Sequence, residues 1–333
     1  MNDIQPLLAA LALVTITGAG CSSSSTDNAK NADPPQALGT LGATPVANDK
    51  QFTSPFDATP DPDGKFVYFT AMSVNEGPAV FKVGADGQGL TRLFAGSPLV
   101  SPFGISITDD GKTLVIADSG AESEKDEENG TDQGGIVFTL GVDGGTPAPL
   151  SGTQGTMPRG LEVLGDSVYY TGTQGQGAKA VPAVYKAPVM GGAPTVLASG
   201  PPLRDPSGIA VTKSGDVFVL DAAAATTHRA SVFKIAGGAP TEIATDIMVG
   251  YPSGIALSAD EKTLLVSALD DTAATDLVFE LDATTGERRM LDSVQKTIGQ
   301  FGESAGLHRS RSSAVFAWSD GKANSTGTVY VLK

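Results

Sequence analysis

The sequence predicts an all-β protein: a six-bladed β-propeller of four-stranded antiparallel blades, its ring closed by an N-terminal strand. Three observations carry this. One motif recurs along the chain with anchor positions Asp57, Gly104, Gly160, Gly208, Gly254 and Gly306, at spacings of 47, 56, 48, 46 and 52 residues. That is the length of a four-stranded blade. The 41 Gly and 21 Pro among 333 residues follow no collagen period and make a turn-dense chain. Helical 3.6-residue periodicity is absent beyond the N-terminal segment.

Taken in order, residues 1–20 read as a signal peptide. The apolar run LLAALALVTI at residues 7–16 is too short to cross a bilayer as a helix, which needs about 20 residues. The small residues Gly18, Ala19 and Gly20 before the single cysteine, Cys21, resemble the lipobox of bacterial lipoproteins. That resemblance implies a diacylated Cys21 as the mature first residue and a membrane partner reached through the lipid. Ser22 rather than Asp follows the cysteine, resembling outer-membrane sorting. The expected address is the bacterial envelope, facing the periplasm or the exterior. Residues 21–36, rich in Ser, Asn, Asp and Pro, form a solvated tether.

The folded unit is expected over residues 37–333. Each repeat reads as an inner strand, a polar hairpin, and an apolar second strand, as in Ile105-Ser-Ile, Asp109-Asp-Gly-Lys and Thr113-Leu-Val-Ile-Ala. A third strand such as Ser231-Val-Phe-Lys-Ile and a fourth such as Thr241-Glu-Ile-Ala complete the blade. The sixth repeat ends on its third strand at Thr328-Val-Tyr-Val-Leu. The segment at residues 37–42 is the expected source of the missing fourth, which removes two exposed sheet edges at once.

The P-x-G-[IL] element followed by D-G-K resembles the propellers of the SMP-30/gluconolactonase, NHL and TolB-like superfamily over residues 54–333. The resemblance implies the architecture and leaves activity open, because this fold carries lactonases, esterases, lyases and binding modules. Its lactonases hold a central calcium with Glu, Asn and Asp placed immediately before the blade glycine. Here those positions are Phe56, Phe103, Arg159, Ser207, Ser253 and Ala305. A hard cation needs six to eight oxygens, so the sequence predicts a throat of apolar and cationic groups and no metal site at these positions. Asp57 and Glu303, one or two positions away, are the alternative calcium candidates. Asp126, Glu128 and Asp132 in the acidic insertion of blade 2 form another; the alternative is a solvated acidic loop.

Other chemistry has little to stand on. One Cys and two His build neither a zinc site nor a disulfide. A net charge of −15 argues against nucleic acid as a partner. Phe103, Arg159, Arg204, Tyr251 and Phe301 at first-strand entrances, with Asp118, Asp221 and Asp270 at second-strand exits, are the candidate ligand-facing rim. His228 lies on the same face, either as an acid–base group or as a solvated surface residue. His308 is expected to point into strand packing. The reading is a monomeric, envelope-anchored, non-catalytic module for an envelope protein or small ligand, needing no cofactor. The alternatives are a diverged calcium-dependent lactonase or esterase and a purely structural envelope component.

Overall fold

A computed structural model of the chain describes residues 41–121, 134–175, 179–222, 229–270, 272–291, 293–294 and 303–333. Within them lie six four-stranded antiparallel sheets. Their inner strands are Phe52–Pro60, Pro102–Ile107, Leu161–Leu164, Pro206–Val211, Ile255–Leu257 and Ser304–Arg309, for blades 1 to 6 in turn. Each inner strand touches those of the blades before and after it, and blade 6 returns to blade 1, so the sheets form a closed ring.

Central strands such as Val217–Asp221 and Thr113–Asp118 read as nearly continuous apolar runs because each sheet is packed between two others, and both faces are buried. Outer strands such as Thr241–Ile247 carry exposed polar residues. The apolar clusters straddle neighbouring blades, as where Phe218 and Leu220 of blade 4 pack with Leu264 and Val266 of blade 5.

Blade 6 is completed from the N-terminus, but by Ala43–Ala47 rather than residues 37–42. Ala43 pairs with Leu332 and Thr44 with Val331. The shift has a packing cause. Leu41, fully buried, plugs into the cluster around Trp318 and Leu332, so pairing begins beyond it. Residues 37–40 and the signal and tether segments lie outside the described residues.

The blade glycines are a steric requirement of the narrow axis. A Cβ on Gly104 would sit 2.2 Å from the Arg159 carbonyl oxygen, and one on Gly160 would sit 2.0 Å from that of Ser207. Gly208 and Gly254 approach Ser253 and Ala305 of the following blades in the same way, and Gly306 abuts Asp57. Blade 1 alone carries a side chain at this level. Asp57 fills the gap and accepts a hydrogen bond from Ile105 N–H of blade 2 at 2.9 Å.

Hydroxyls on second strands stitch the same level. Ser267 Oγ accepts from Gly254 N–H and donates to the Ala305 carbonyl, and Thr171 does likewise between Gly160 and Ser207.

Candidate functional site

The axial channel is the place where the six inner strands bring chemistry together. At its upper mouth, on the side where inner strands begin, Phe103 packs edge-to-face against Phe56 at 5.4 Å and against Tyr251 at 5.4 Å. Arg159 and Asp205 form an ion pair beside them. Burial raises the Tyr251 pKa, with the Arg159 charge opposing it and Asp205 assisting. Beneath this lid is a cavity of about 10 Å³ lined by Phe103, Asp57, His308 and the glycines Gly160, Gly208, Gly254 and Gly306. That is about the volume that one water needs.

Below the cavity the channel is spanned by charge. His308 of blade 6 hydrogen-bonds through Nε2 to Asp57 Oδ2 at 3.0 Å and through Nδ1 to Glu162 Oε2 at 2.9 Å. Blades 6 and 3 stand opposite each other, so this imidazole crosses the diameter. Arg311, in the first hairpin of blade 6, pairs with Glu162 and with Asp109 at 3.2 Å, extending the network to the lower mouth.

Burial alone would strip the proton from His308, but the charges and hydrogen bonds of Asp57 and Glu162 outweigh it and raise its pKa to about 10. Burial alone would raise Glu162, and the Arg311 charge with the His308 hydrogen bond lowers it instead to about 2. The bridge is thus an imidazolium between two carboxylates.

This corrects the expected throat. Aromatic and cationic groups hold the upper mouth, but carboxylates gather one level below, and His308 faces the axis rather than strand packing. Asp57 lies on the axis with its oxygens committed. Oδ1 accepts from Ala58 N–H, and Oδ2 accepts from Ile105 N–H besides contacting His308. The donor set does not fit calcium: the positive charge facing these carboxylates comes from His308 and Arg311, and the positions before the blade glycines offer no carboxylate. Among the described residues no group of three or more His, Cys, Asp or Glu converges as metal ligands.

Of the rim residues, Phe103, Arg159 and Tyr251 meet at the upper mouth. Asp118 and Asp221 do not reach the rim; both are fully buried. Asp118 accepts from the N–H groups of Val100, Ser101, Gly120 and Ala121, and burial nevertheless raises its pKa. Asp221 accepts from Arg204 and Asp205 N–H. Such aspartates bind the incoming loop to the second strand, which is why the residue recurs there. Arg204 is exposed, Asp270 caps Thr272 and Ala273, and Glu303 pairs with Lys322 at 2.6 Å. Cys21, Asp126, Glu128, Asp132, His228 and Phe301 lie outside the described residues.

No protein-family profile matches the chain, and no curated protein is similar to it in sequence. Solved structures do share its fold. A gluconolactonase from Xanthomonas campestris is 16% identical with a TM-score of 0.61, over 91% of this chain and 95% of that one. A PQQ-bound aldose sugar dehydrogenase from Streptomyces coelicolor is 12% identical with a TM-score of 0.60, over 90% and 99%. A TolB-type protein from Agrobacterium tumefaciens is 14% identical with a TM-score of 0.53, over 87% and 96%. These likenesses extend to the fold alone, and they include enzymes as well as a protein not described as one.

Proposed function

We propose that this propeller is a non-catalytic binding module, tethered to the bacterial envelope through lipidated Cys21 and presenting its upper face to an envelope protein or a small ligand. The carrying observation is the closure of the axis at two levels with about 10 Å³ between them. A substrate reaching the channel would meet the Phe103 lid and then the His308 bridge, with no room for a reacting group. The exposed Arg204 and the Arg159, Phe103 and Tyr251 cluster offer the cationic and aromatic side chains that anchor binding surfaces.

The runner-up, a calcium-dependent lactonase or esterase, draws on the likeness to gluconolactonase and on Asp57. The test is a thermal melt of the full chain with calcium or with a chelator, alongside a panel of lactones and aryl esters. The binding module shows no calcium-dependent rise in Tm and no turnover. A rise together with hydrolysis would overturn it, because a cation held only by the folded state must stabilise that state. For the tether, Cys21→Ser moves the protein from the membrane to the soluble fraction; unchanged partitioning contradicts lipidation. A photo-crosslinker at Arg204 captures a partner that one at Met190, exposed on the lower face, does not; equal capture contradicts the choice of face.

A further inference from the structure

The lower mouth of the channel has a chemistry of its own. Arg309, at the end of the blade 6 inner strand, donates from Nε to the Leu257 carbonyl at 2.8 Å. Its Nη1 donates to the Ser310 carbonyl at 2.6 Å and that of Ser313 at 3.3 Å. All three acceptors are neutral, and among the described residues no carboxylate stands within ion-pair distance of this guanidinium. A cation taken out of water without a counter-ion is costly.

Beside it opens a cavity of about 70 Å³, lined by Lys213, Arg309 and Arg311 together with Glu162 and Glu261. Glu162 is already bound to His308 and Arg311, and Glu261 Oε1 accepts from Lys213 N–H at 2.8 Å. The Lys213 ammonium has no carboxylate partner among the described residues. Three cations therefore face two carboxylates, one of them neutralised from behind by the His308 imidazolium. Arg311 is also shared with Asp109 and His308 with Asp57, so among the described residues the cations without a carboxylate within ion-pair distance are Arg309 and Lys213.

We propose that this mouth binds a compact oxyanion, a carboxylate or phosphate group, gripped by the Arg309 guanidinium and the Lys213 ammonium. The three carbonyls take Nε and Nη1 and leave Nη2 of the guanidinium for a ligand oxygen, and Lys adds a mobile point charge. At about 70 Å³ the cavity suits one such group and not a nucleotide. Burial of Arg309 depresses its pKa, with the charges of Glu162 and Glu261 opposing the shift and that of Arg311 adding to it.

Calorimetric titration of the full chain with sodium phosphate, and separately with sodium acetate, in chloride at constant ionic strength tests this. At least one anion binds, and the one that does identifies the group. Lys213→Ala, a change to an exposed side chain, weakens binding about tenfold, the value of one charge-assisted hydrogen bond. Arg309→Lys keeps the charge but loses Nη2 and weakens binding about tenfold. No heat beyond that of chloride, or equal affinity in wild type and both variants, would overturn the proposal. The outcome is independent of what the upper face does.

Discussion

Phe56, Phe103 and Tyr251 close the upper mouth with ring edges laid on ring faces, whereas one level down His308 spans the same axis between Asp57 and Glu162. The first closure is built of many small attractions. Each aromatic pair contributes about 0.5–1.5 kcal/mol beyond its buried area, and losing one leaves the rest in place. The second is built of charges removed from water, where each member is tolerable only while its partners remain. The upper closure should therefore fail gradually and the lower one abruptly.

The largest expected effect follows from that contrast. His308→Ala leaves two buried carboxylates facing each other and costs roughly 3–5 kcal/mol in denaturant unfolding. The triple variant Asp57→Asn, Glu162→Gln, His308→Gln costs less than His308→Ala alone, since no buried charge is stranded. A triple variant as damaged as the single one would mean that shape and not charge holds the axis.

Next comes pH. His308 is held up at about 10 against an ordinary 6.5, so its contribution is complete below pH 6.5 and is lost as pH rises through 10. Glu162 is held down at about 2 against 4.5, so its contribution is complete above pH 4.5 and is lost as pH falls through 2. Stability should plateau between pH 4.5 and 6.5 and fall by on the order of 3 kcal/mol toward pH 10. His308→Gln should flatten that alkaline slope; a slope unchanged in the variant would place its source elsewhere.

At the upper mouth the effects shrink. Phe103→Ala removes both ring contacts from a half-buried side chain and costs about 2 kcal/mol, read as a shift in unfolding midpoint without a change in pH dependence. Arg159→Ala breaks one part-buried ion pair at the mouth and costs about 1 kcal/mol, less at high salt.

The sequence made the ring legible because five of the six blades repeat the same glycine, and the structure shows why: neighbouring groups lie where a Cβ would go. The repeated Asp at second-strand exits was equally visible, but its purpose was not. Asp118 and Asp221 bind loops because their carboxylates turn inward to backbone N–H groups, and nothing in the residue type distinguishes that from facing a ligand. The throat was misread by position. Proline-glycine entrances carry a register shift, between Pro102 and Gly104 in blade 2 and between Pro206 and Gly208 in blade 4. A bulge of that kind re-aims the side chains around it. The charged groups consequently stand at the glycine position itself, as Asp57, and two beyond it, as Glu162 and His308. Glu162 and His308 are 146 residues apart and meet only because three blades separate opposite walls of the ring. The signal that could have found them was a charged residue on each of two opposite inner strands at the same offset from the blade glycine.

The chain has two histidines, so a His228→Gln variant leaves a single imidazole whose titration can be followed by NMR without ambiguity. If the axis is locked by an imidazolium between Asp57 and Glu162, that ring keeps its proton and its slow solvent exchange from pH 5 through pH 8 and releases the proton only toward about 10. A midpoint near the ordinary 6.5, with fast exchange, would show the channel open to water at His308 and contradict the closed axis on which the binding-module reading rests.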